Sequence, residues 1–344
     1  MTLTLNDLGW DIFFSAQCAE TDPDLTVMRL SEIHRDCMTG ITAGETFTLT
    51  TPPEVSTGTF AVGDWVLVAS DLRVAQTLER KSLLSRRAAG TDARTQLIAA
   101  NVDTLFITTS CNPDFNPARL ERYLALAKDA GTTPVVVLTK ADLSDQVDDF
   151  VTRTRALAPD LEVLAINAKD PADQDRIMAL CGHSQTAALL GSSGVGKSTL
   201  LNALTGETLA TADIRETDAR GRHTTTARTL RRMRNGGWII DTPGMRALPL
   251  NDASDGIDAL FDEVSKLAET CKFNNCSHEH EPGCAVRKAV KKGELTTERV
   301  ARWQKLRLEE DRNAETMTQT KTRHRGFAKQ IRKMKHANKG RKGY

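Results

Sequence analysis

Nine residues, "GSSGVGKST" from Gly191 to Thr199, carry the most specific chemistry in the chain. They satisfy G-x-x-x-x-G-K-[ST]. Gly191, Gly194 and Gly196 let successive N–H groups turn inward as a nest for phosphate oxygens, Lys197 reaches the β and γ phosphates, and the Ser198 hydroxyl suits Mg²⁺. Ser192, Ser193, Val195 and Thr199 complete the stretch expected to touch nucleotide. Apolar "AALL" precedes it and "STLLNALTG" follows, so the loop joins a strand to a helix whose N-terminus faces the anion.

Four further loops bear on which nucleotide it is. "DTPG", Asp241 to Gly244, ends an apolar run: its carboxylate suits Mg²⁺ through water and the Gly244 N–H a γ-phosphate. In "GRHTTTART" Thr225, with Thr224 and Thr226 as close rivals, is expected to close over Mg²⁺ and open on hydrolysis, as a switch does. In "VVVLTKADLS", Thr139, Lys140, Ala141 and Asp142 have the form of a base-reading loop. Asp142 is placed to accept from guanine N1–H and the 2-amino group together, which adenine cannot offer, while Lys140 packs along the base. "INAKD" supplies Asn167, Ala168 and Lys169, with the Ala168 N–H directed at guanine O6. Together the five loops favour GTP over ATP.

A different chemistry stands further along. "CKFNNCSHEHEPGC" places Cys271, Cys276, His278 and Cys284 at C-x4-C-x-H-x5-C, three thiolates and one imidazole that complete a tetrahedral Zn²⁺ shell and mark a structural site. His280 is a poorer ligand candidate. The other four of the seven cysteines are scattered, as half-buried residues of a reducing compartment are.

The elements that hold these loops follow from pattern. From Leu25 to Leu78 short β-like runs ("LTVMRL", "ETFTLT", "AVGDWVLVA", "RVAQTLE") alternate with turn residues, which argues for a small β-barrel. From Asp103 strand-like "DTLFITTS", "PVVVL" and "LEVLAIN" alternate with helical "PARLERYLALAKDAG" and "QVDDFVTRTRALA", the rhythm of a parallel sheet in a doubly wound α/β layer. Leu260, Phe261, Val264, Leu267 and Ala268 then recur at helical spacing ahead of the cysteines, and "ERVARWQKLRLEEDRNAE" reads as a further helix. The expected division is 1–82 for the N-terminal segment and barrel, 83–250 for the nucleotide domain and 251–344 for a mostly α zinc-binding domain with its extension.

With 344 residues, 40% hydrophobic and 26% charged, the chain suits two or three soluble domains. No run reaches the roughly 18 apolar residues of a membrane span, and "MTLTLNDLGW" lacks a basic n-region, so a cytoplasmic protein without membrane contact is expected. The net charge of +1 conceals a tail: residues 321–344 hold ten Lys/Arg and no Asp or Glu, leaving 36 Lys/Arg against 45 Asp/Glu elsewhere, a balance of −9. A basic tail on an acidic body suits a polyanionic partner.

The base-reading loop precedes the phosphate loop, the reverse of an ordinary G domain. In that order of loops, with a β domain in front and a Cys-Cys-His-Cys segment behind, the chain resembles the circularly permuted GTPases of the RsgA family. "GDWV", "RKSLLSRRAAG", "GRHTTT" and the zinc segment extend the resemblance over nearly the whole length. It implies an oligonucleotide-binding-fold (OB-fold) barrel, a permuted P-loop GTPase domain and a zinc domain. It implies also a monomer that binds the 30S ribosomal subunit and 16S rRNA and hydrolyses GTP, with ribosomal stimulation, late in small-subunit maturation. Thr139 stands where many G proteins have Asn. Met245 follows Gly244 where many have a water-orienting Gln, and the resemblance points to His223 as the replacement. Two rival readings are a P-loop ATPase and a nucleic-acid-binding assembly factor whose nucleotide site is structural.

Overall fold

The computed structural model describes residues 3–18, 22–87, 95–207, 228–242 and 254–311. Near the start a short helix, α1 (Ile12–Ala16), is capped by Asp11, whose side chain accepts from the Phe13 N–H. Five antiparallel strands follow: β1 (Thr26–Ile33), β2 (Met38–Ile41), β3 (Thr46–Leu49), β4 (Trp65–Val68) and β5 (Val74–Thr77). β1 pairs with β2 and β4, β2 with β3, and β4 with β5. A bridge between Thr50 and Arg73 brings the end of β3 to β5, so the sheet closes on itself around Met28, Leu30, Met38, Leu49, Phe60, Val66, Val68 and Val74. β2 was not among the runs expected from the sequence: "MTGI" is four residues long and holds a glycine, and its strand conformation comes from pairing on both sides.

β1 is buried on both faces. Met28 and Leu30 point into the barrel, whereas Arg29 points out of it and is 1% exposed. Its guanidinium donates to Leu8 O at 2.5 Å and to Thr186 Oγ1 at 2.8 Å and lies 5.6 Å from the Trp65 ring. Burial pushes Arg29 down to about 10, with Asp103 and Asp64 opposing. One charged side chain thus joins the N-terminal segment, the barrel and the next layer.

That layer starts with a hairpin, β6 (Leu83–Arg87) and β7 (Thr95–Ala100), and continues as alternating strands and helices. In chain order these are β8 (Thr104–Ser110), α2 (Pro117–Asp129), β9 (Thr133–Thr139), α3 (Val147–Arg155), β10 (Glu162–Ala165), α4 (Pro171–Met178), β11 (Thr186–Gly191), α5 (Lys197–Thr205), β12 (Thr229–Arg232) and β13 (Trp238–Asp241). In space the strands run β10-β9-β8-β11-β13-β12. All neighbours are parallel except β12 with β13, and β12 also meets β1 of the barrel at the Glu32–Thr229 pair. Helices on the faces explain why every residue of β8 and β11 is buried. The chain leaves β8 outward through β9 and β10, then returns to lay β11 on the other side of β8. The point where strand order reverses is therefore the β8/β11 boundary, where open α/β sheets bind ligands beyond the carboxyl ends of their strands.

The remaining described residues are helical around one loop. The single helix expected across Leu260–Ala268 is two, α6 (Ser254–Leu260) and α7 (Asp262–Glu269), broken at Phe261, whose φ of −116° and ψ of 38° leave the helical region. After the cysteine loop come α8 (Ala285–Lys292) and a helix over 297–311. This part packs on α2: a Cβ on Gly256 of α6 would lie 2.1 Å from Ala125 O, so only glycine allows the approach. Glu121 of α2, 1% exposed, accepts from Arg302 at 2.7 Å, and Arg299 donates to Glu263 (2.8 Å), Leu157 O (2.7 Å) and Leu260 O (2.6 Å). Arg122 and Glu309 form a two-pronged ion pair with a closest approach of 2.6 Å.

Candidate functional site

β11 ends at Gly191, and there the backbone passes so near β8 that a Cβ would fall 2.2 Å from Thr108 O. Gly194 and Gly196 turn the chain through left-handed conformations (φ 78° and 96°) and α5 starts at Lys197. Ser198 is exposed and Thr199 half-buried on its first turn, while Val195 is buried beneath the loop. Lys197 Nζ donates to Gly191 O at 2.7 Å and Ser192 O at 2.5 Å, folding the ammonium over its own loop. An ammonium has three donors, so it can meet phosphate while keeping one of these carbonyls.

The strand that carries the base-reading loop lies two places away, and side chains bridge the distance. Thr139 at the end of β9 is 1% exposed; its hydroxyl donates to Val195 O at 2.5 Å, with Thr109 O at 3.1 Å. Lys140 takes a left-handed conformation (φ 59°) and its Nζ donates to Gly194 O at 2.9 Å, laying its stem across the phosphate loop. Ala141 N–H donates to Ile166 O at 3.1 Å, which ties in the third loop, and Asp142 projects exposed beside it. The third loop is held from below: Asn167 N–H donates to Asp173 (2.8 Å), Asn167 Oδ1 accepts from the Lys169 N–H (3.0 Å), and the Gln174 amide donates to the carbonyl of buried Ala168 (3.0 Å). Asp173 and Gln174 were not singled out in the sequence, because one turn of α4 brings them under the loop only after the fold forms.

On the opposite side β13 delivers Asp241. Burial raises its carboxyl above the ordinary carboxylate range, with Lys197 and Arg231 pulling it back. Thr242 is buried and its hydroxyl donates to Leu189 O, which fixes the strand end next to the phosphate loop. The structure therefore gathers the loops at 139–142, 167–169, 191–199 and Asp241 at one sheet edge. Gly244, Met245, His223 and Thr224 to Thr226 lie outside the described residues, as does the basic tail.

The cysteine loop brings Cys271, Cys276, His278 and Cys284 together with all ligand atoms within 4.8 Å of one another. Zn–S of about 2.3 Å and Zn–N of about 2.05 Å require tetrahedron edges of about 3.8 Å between sulfurs and about 3.6 Å between sulfur and nitrogen. The Cys271–Cys284 sulfurs are 3.9 Å apart, and His278 Nδ1 lies 3.6 and 3.5 Å from them. The residues fit the ion. Backbone N–H groups of Ala285 and Arg287, at the start of α8, point at Cys271 and Cys284 sulfur at 3.4 Å each. Trp303 covers the imidazole, with ring centroids 5.3 Å apart. His280 is not part of the cluster.

The RsgA GTPase family model matches residues 77–251, and the small ribosomal subunit biogenesis GTPase RsgA of Mesorhizobium japonicum is 51% identical over 315 residues, 90% of this chain and 91% of that one. The chain belongs to the RsgA GTPase family. Another RsgA relative, small ribosomal subunit biogenesis GTPase RsgA 2 of Vibrio vulnificus, is 45% identical over 334 residues, 96% of this chain and 94% of its own. Among solved structures, YjeQ from Thermotoga maritima superposes with a TM-score of 0.59 at 24% identity, covering 82% of this chain and 97% of that one. YloQ, described as a circularly permuted GTPase, gives 0.57 at 23% identity over 88% and 98%. At those identities the likeness to the two structures speaks for the RsgA fold.

Proposed function

We propose that this RsgA-family chain hydrolyses GTP in the biogenesis of the small ribosomal subunit, binding the 30S particle and 16S rRNA late in maturation with its turnover raised by the ribosome. The observation that carries the reading is the junction of the two displaced loops: Thr139 and Lys140, early in the chain, bond directly to Val195 and Gly194 of the later phosphate loop. A base held by Asp142 and phosphates held at 191–199 then belong to one pocket, whatever the order along the backbone.

In this pocket Ser192 to Thr199 offer N–H groups to the phosphates, Lys197 neutralises β and γ oxygens, and Lys140, Ala141, Asp142, Asn167, Ala168 and Lys169 surround the guanine. Ser198, Thr225 and, through water, Asp241 would hold Mg²⁺, which supplies charge neutralisation between β and γ phosphates when bound. His223 is the residue assigned to orient water, since Met245 has no donor or acceptor for the task, and the Gly244 N–H is assigned to the γ-phosphate. Zn²⁺ on Cys271, Cys276, His278 and Cys284 is structural: four protein ligands leave no open position.

An OB-fold is supported for the front barrel by its closed five-strand order, β1-β2-β3-β5-β4. The division at 82/83 and 250/251, a monomeric state and cytoplasmic residence complete the proposal. No described helix is long and apolar enough to cross a membrane. The test is phosphate release from GTP and from ATP, with and without 30S subunits, for the native chain, Lys197→Ala and His223→Ala. Preference for GTP, stimulation by 30S and loss in Lys197→Ala are expected. Equal use of ATP would return the site to a general P-loop ATPase, and no turnover with 30S present would leave an assembly factor with a structural nucleotide. Unchanged stimulation in His223→Ala would remove that histidine from the reaction.

A further inference from the structure

Ala168, in the loop after β10, is 9% exposed, and among the described residues its N–H has no acceptor. Both peptides that flank it are pinned. The Asn167 carbonyl accepts from the Asp170 N–H at 2.9 Å, and a planar trans peptide then turns the Ala168 N–H the opposite way. The Ala168 carbonyl accepts from Gln174 Nε2 at 3.0 Å, and the Lys169 N–H of that second peptide donates to Asn167 Oδ1 at 3.0 Å. An N–H of a buried residue, held in one direction and short of an acceptor, is a group that a ligand completes.

Gln174 is itself steered. It lies on α4, 9% exposed, and its amide has two ends: reversed, it would turn an oxygen on the Ala168 carbonyl. Sixty residues further along the chain, Arg234 Nη2 donates to Gln174 Oε1 at 2.7 Å. A guanidinium only donates and a carbonyl only accepts, so the two partners together admit one orientation of the amide. Arg234 belongs to the turn between β12 and β13, which is docked on the ends of two helices. Its N–H donates to Leu204 O of α5 at 2.9 Å, and Asn235 Nδ2 donates to Met178 O of α4 and to Cys181 O just beyond it, at 2.8 Å each. The Arg234 side chain is exposed, but the backbone that carries it is fixed on both sides.

We infer that Gln174 and Arg234 are positioning residues for base specificity: Arg234 orients the Gln174 amide, the amide fixes the Ala168–Lys169 peptide, and the Ala168 N–H is thereby held for the 6-oxo oxygen of a purine. This rests on reading 167–169 as the guanine loop. Neither side chain has to touch the base. The choice they support is between a 6-oxo purine, whose oxygen accepts from the N–H, and a 6-amino purine, which meets it with another donor. One hairpin thus serves both halves of the pocket, since β13 carries Asp241 at its carboxyl end and the turn before it steadies the base loop.

The experiment measures dissociation constants of the full-length chain for GDP, IDP and 2-aminopurine riboside 5′-diphosphate by competition with fluorescent GDP. GDP and IDP carry the 6-oxo group and the third nucleotide does not. Gln174→Leu fills the space without a donor and is expected to weaken GDP and IDP by roughly threefold to tenfold, the worth of one hydrogen bond, and the 2-aminopurine nucleotide by less than about twofold. Gln174→Glu keeps the length and pairs with Arg234 but has no N–H to give, so it should lose at least as much. Arg234→Met changes an exposed side chain and leaves the core alone; it should cost GDP and IDP roughly twofold, because a turned amide is still one of two choices. Equal weakening of all three nucleotides by the Gln174 variants, or native GDP affinity in Gln174→Glu, would overturn the positioning role, and native constants in Arg234→Met would overturn the part given to the arginine. A native chain that binds the 2-aminopurine nucleotide as tightly as GDP would instead overturn the guanine-loop reading itself, and the inference with it.

Discussion

Replacing Thr139 with Val keeps the shape of the side chain and removes one hydroxyl, and the structure says what that hydroxyl holds. It is sealed in the core with two carbonyls in reach, Val195 O at 2.5 Å and Thr109 O at 3.1 Å, and has a single proton to give. In the valine variant the Val195 carbonyl, under the phosphate loop, loses its donor in a place water does not reach. A buried acceptor left unpaired costs about 1–3 kcal/mol, equivalent to roughly 5- to 150-fold in an equilibrium constant. Where the deficit appears depends on when the two loops meet. If they are already joined without nucleotide, the variant melts earlier at nearly native affinity; if nucleotide draws them together, affinity falls and the melt is preserved. Urea unfolding of the nucleotide-free chain and titration with fluorescent GDP measure both parts, and their sum should fall in the stated range. An affinity within twofold of native together with an unmoved urea midpoint would refute the account of Thr139 as the fastener between loops. Thr139→Asn is the converse case: an amide has two N–H donors for the same two carbonyls, and should bind GDP at least as well as the native chain.

Asp241→Asn should separate stability from binding. Burial lifts the native carboxyl above its unfolded value, so the native state keeps its proton to higher pH, and stability from that protonated form is lost as pH rises. The loss begins near the ordinary carboxylate value of about 4 and ends at the raised one. Without nucleotide, the variant should therefore gain melting temperature relative to native between pH 4 and 7 while losing Mg²⁺-dependent GTP affinity; a variant that falls behind on heating at pH 7 would contradict this. Metal analysis of the purified chain should give one zinc per molecule, falling to near zero in Cys276→Ser, and chelation should expose Trp303 as a red shift in fluorescence. Retention of stoichiometric zinc by Cys276→Ser would exclude that thiol as a ligand.

The parts of the site that sequence discloses are those whose geometry is local. A phosphate loop needs its glycines, lysine and serine within nine consecutive residues, and a zinc loop its four ligands within fourteen, so spacing is geometry. The strands of the α/β layer are similarly legible, because burial on both faces writes itself as an unbroken apolar run. What was missed is assembled from a distance. β2 is held as a strand by its neighbours, and the break at Phe261 arises where its ring packs under the Arg299 guanidinium, 3.9 Å from the ring centre. Glu121 looks in sequence like one more solvated acid on a helix, and only the arrival of Arg302, 181 positions later, explains its burial.

The placement of β8 carries a consequence for how the chain is made. Its sequence neighbour β9 is available almost at once, but its other flank is covered by β11, with Ala187 opposite Thr104. During synthesis the inner edge of β8, seven buried residues long, has no strand beside it while β9 and β10 are added, since 75 residues separate the end of β8 at Ser110 from the start of β11 at Thr186. In the unpermuted order that central edge would be built around the phosphate loop from the start. An apolar open edge invites pairing with other chains. The rearrangement that puts the base-reading loop ahead of the phosphate loop therefore leaves the nascent form exposed to misassociation, and truncations ending between β10 and β11 should be markedly less soluble than the whole.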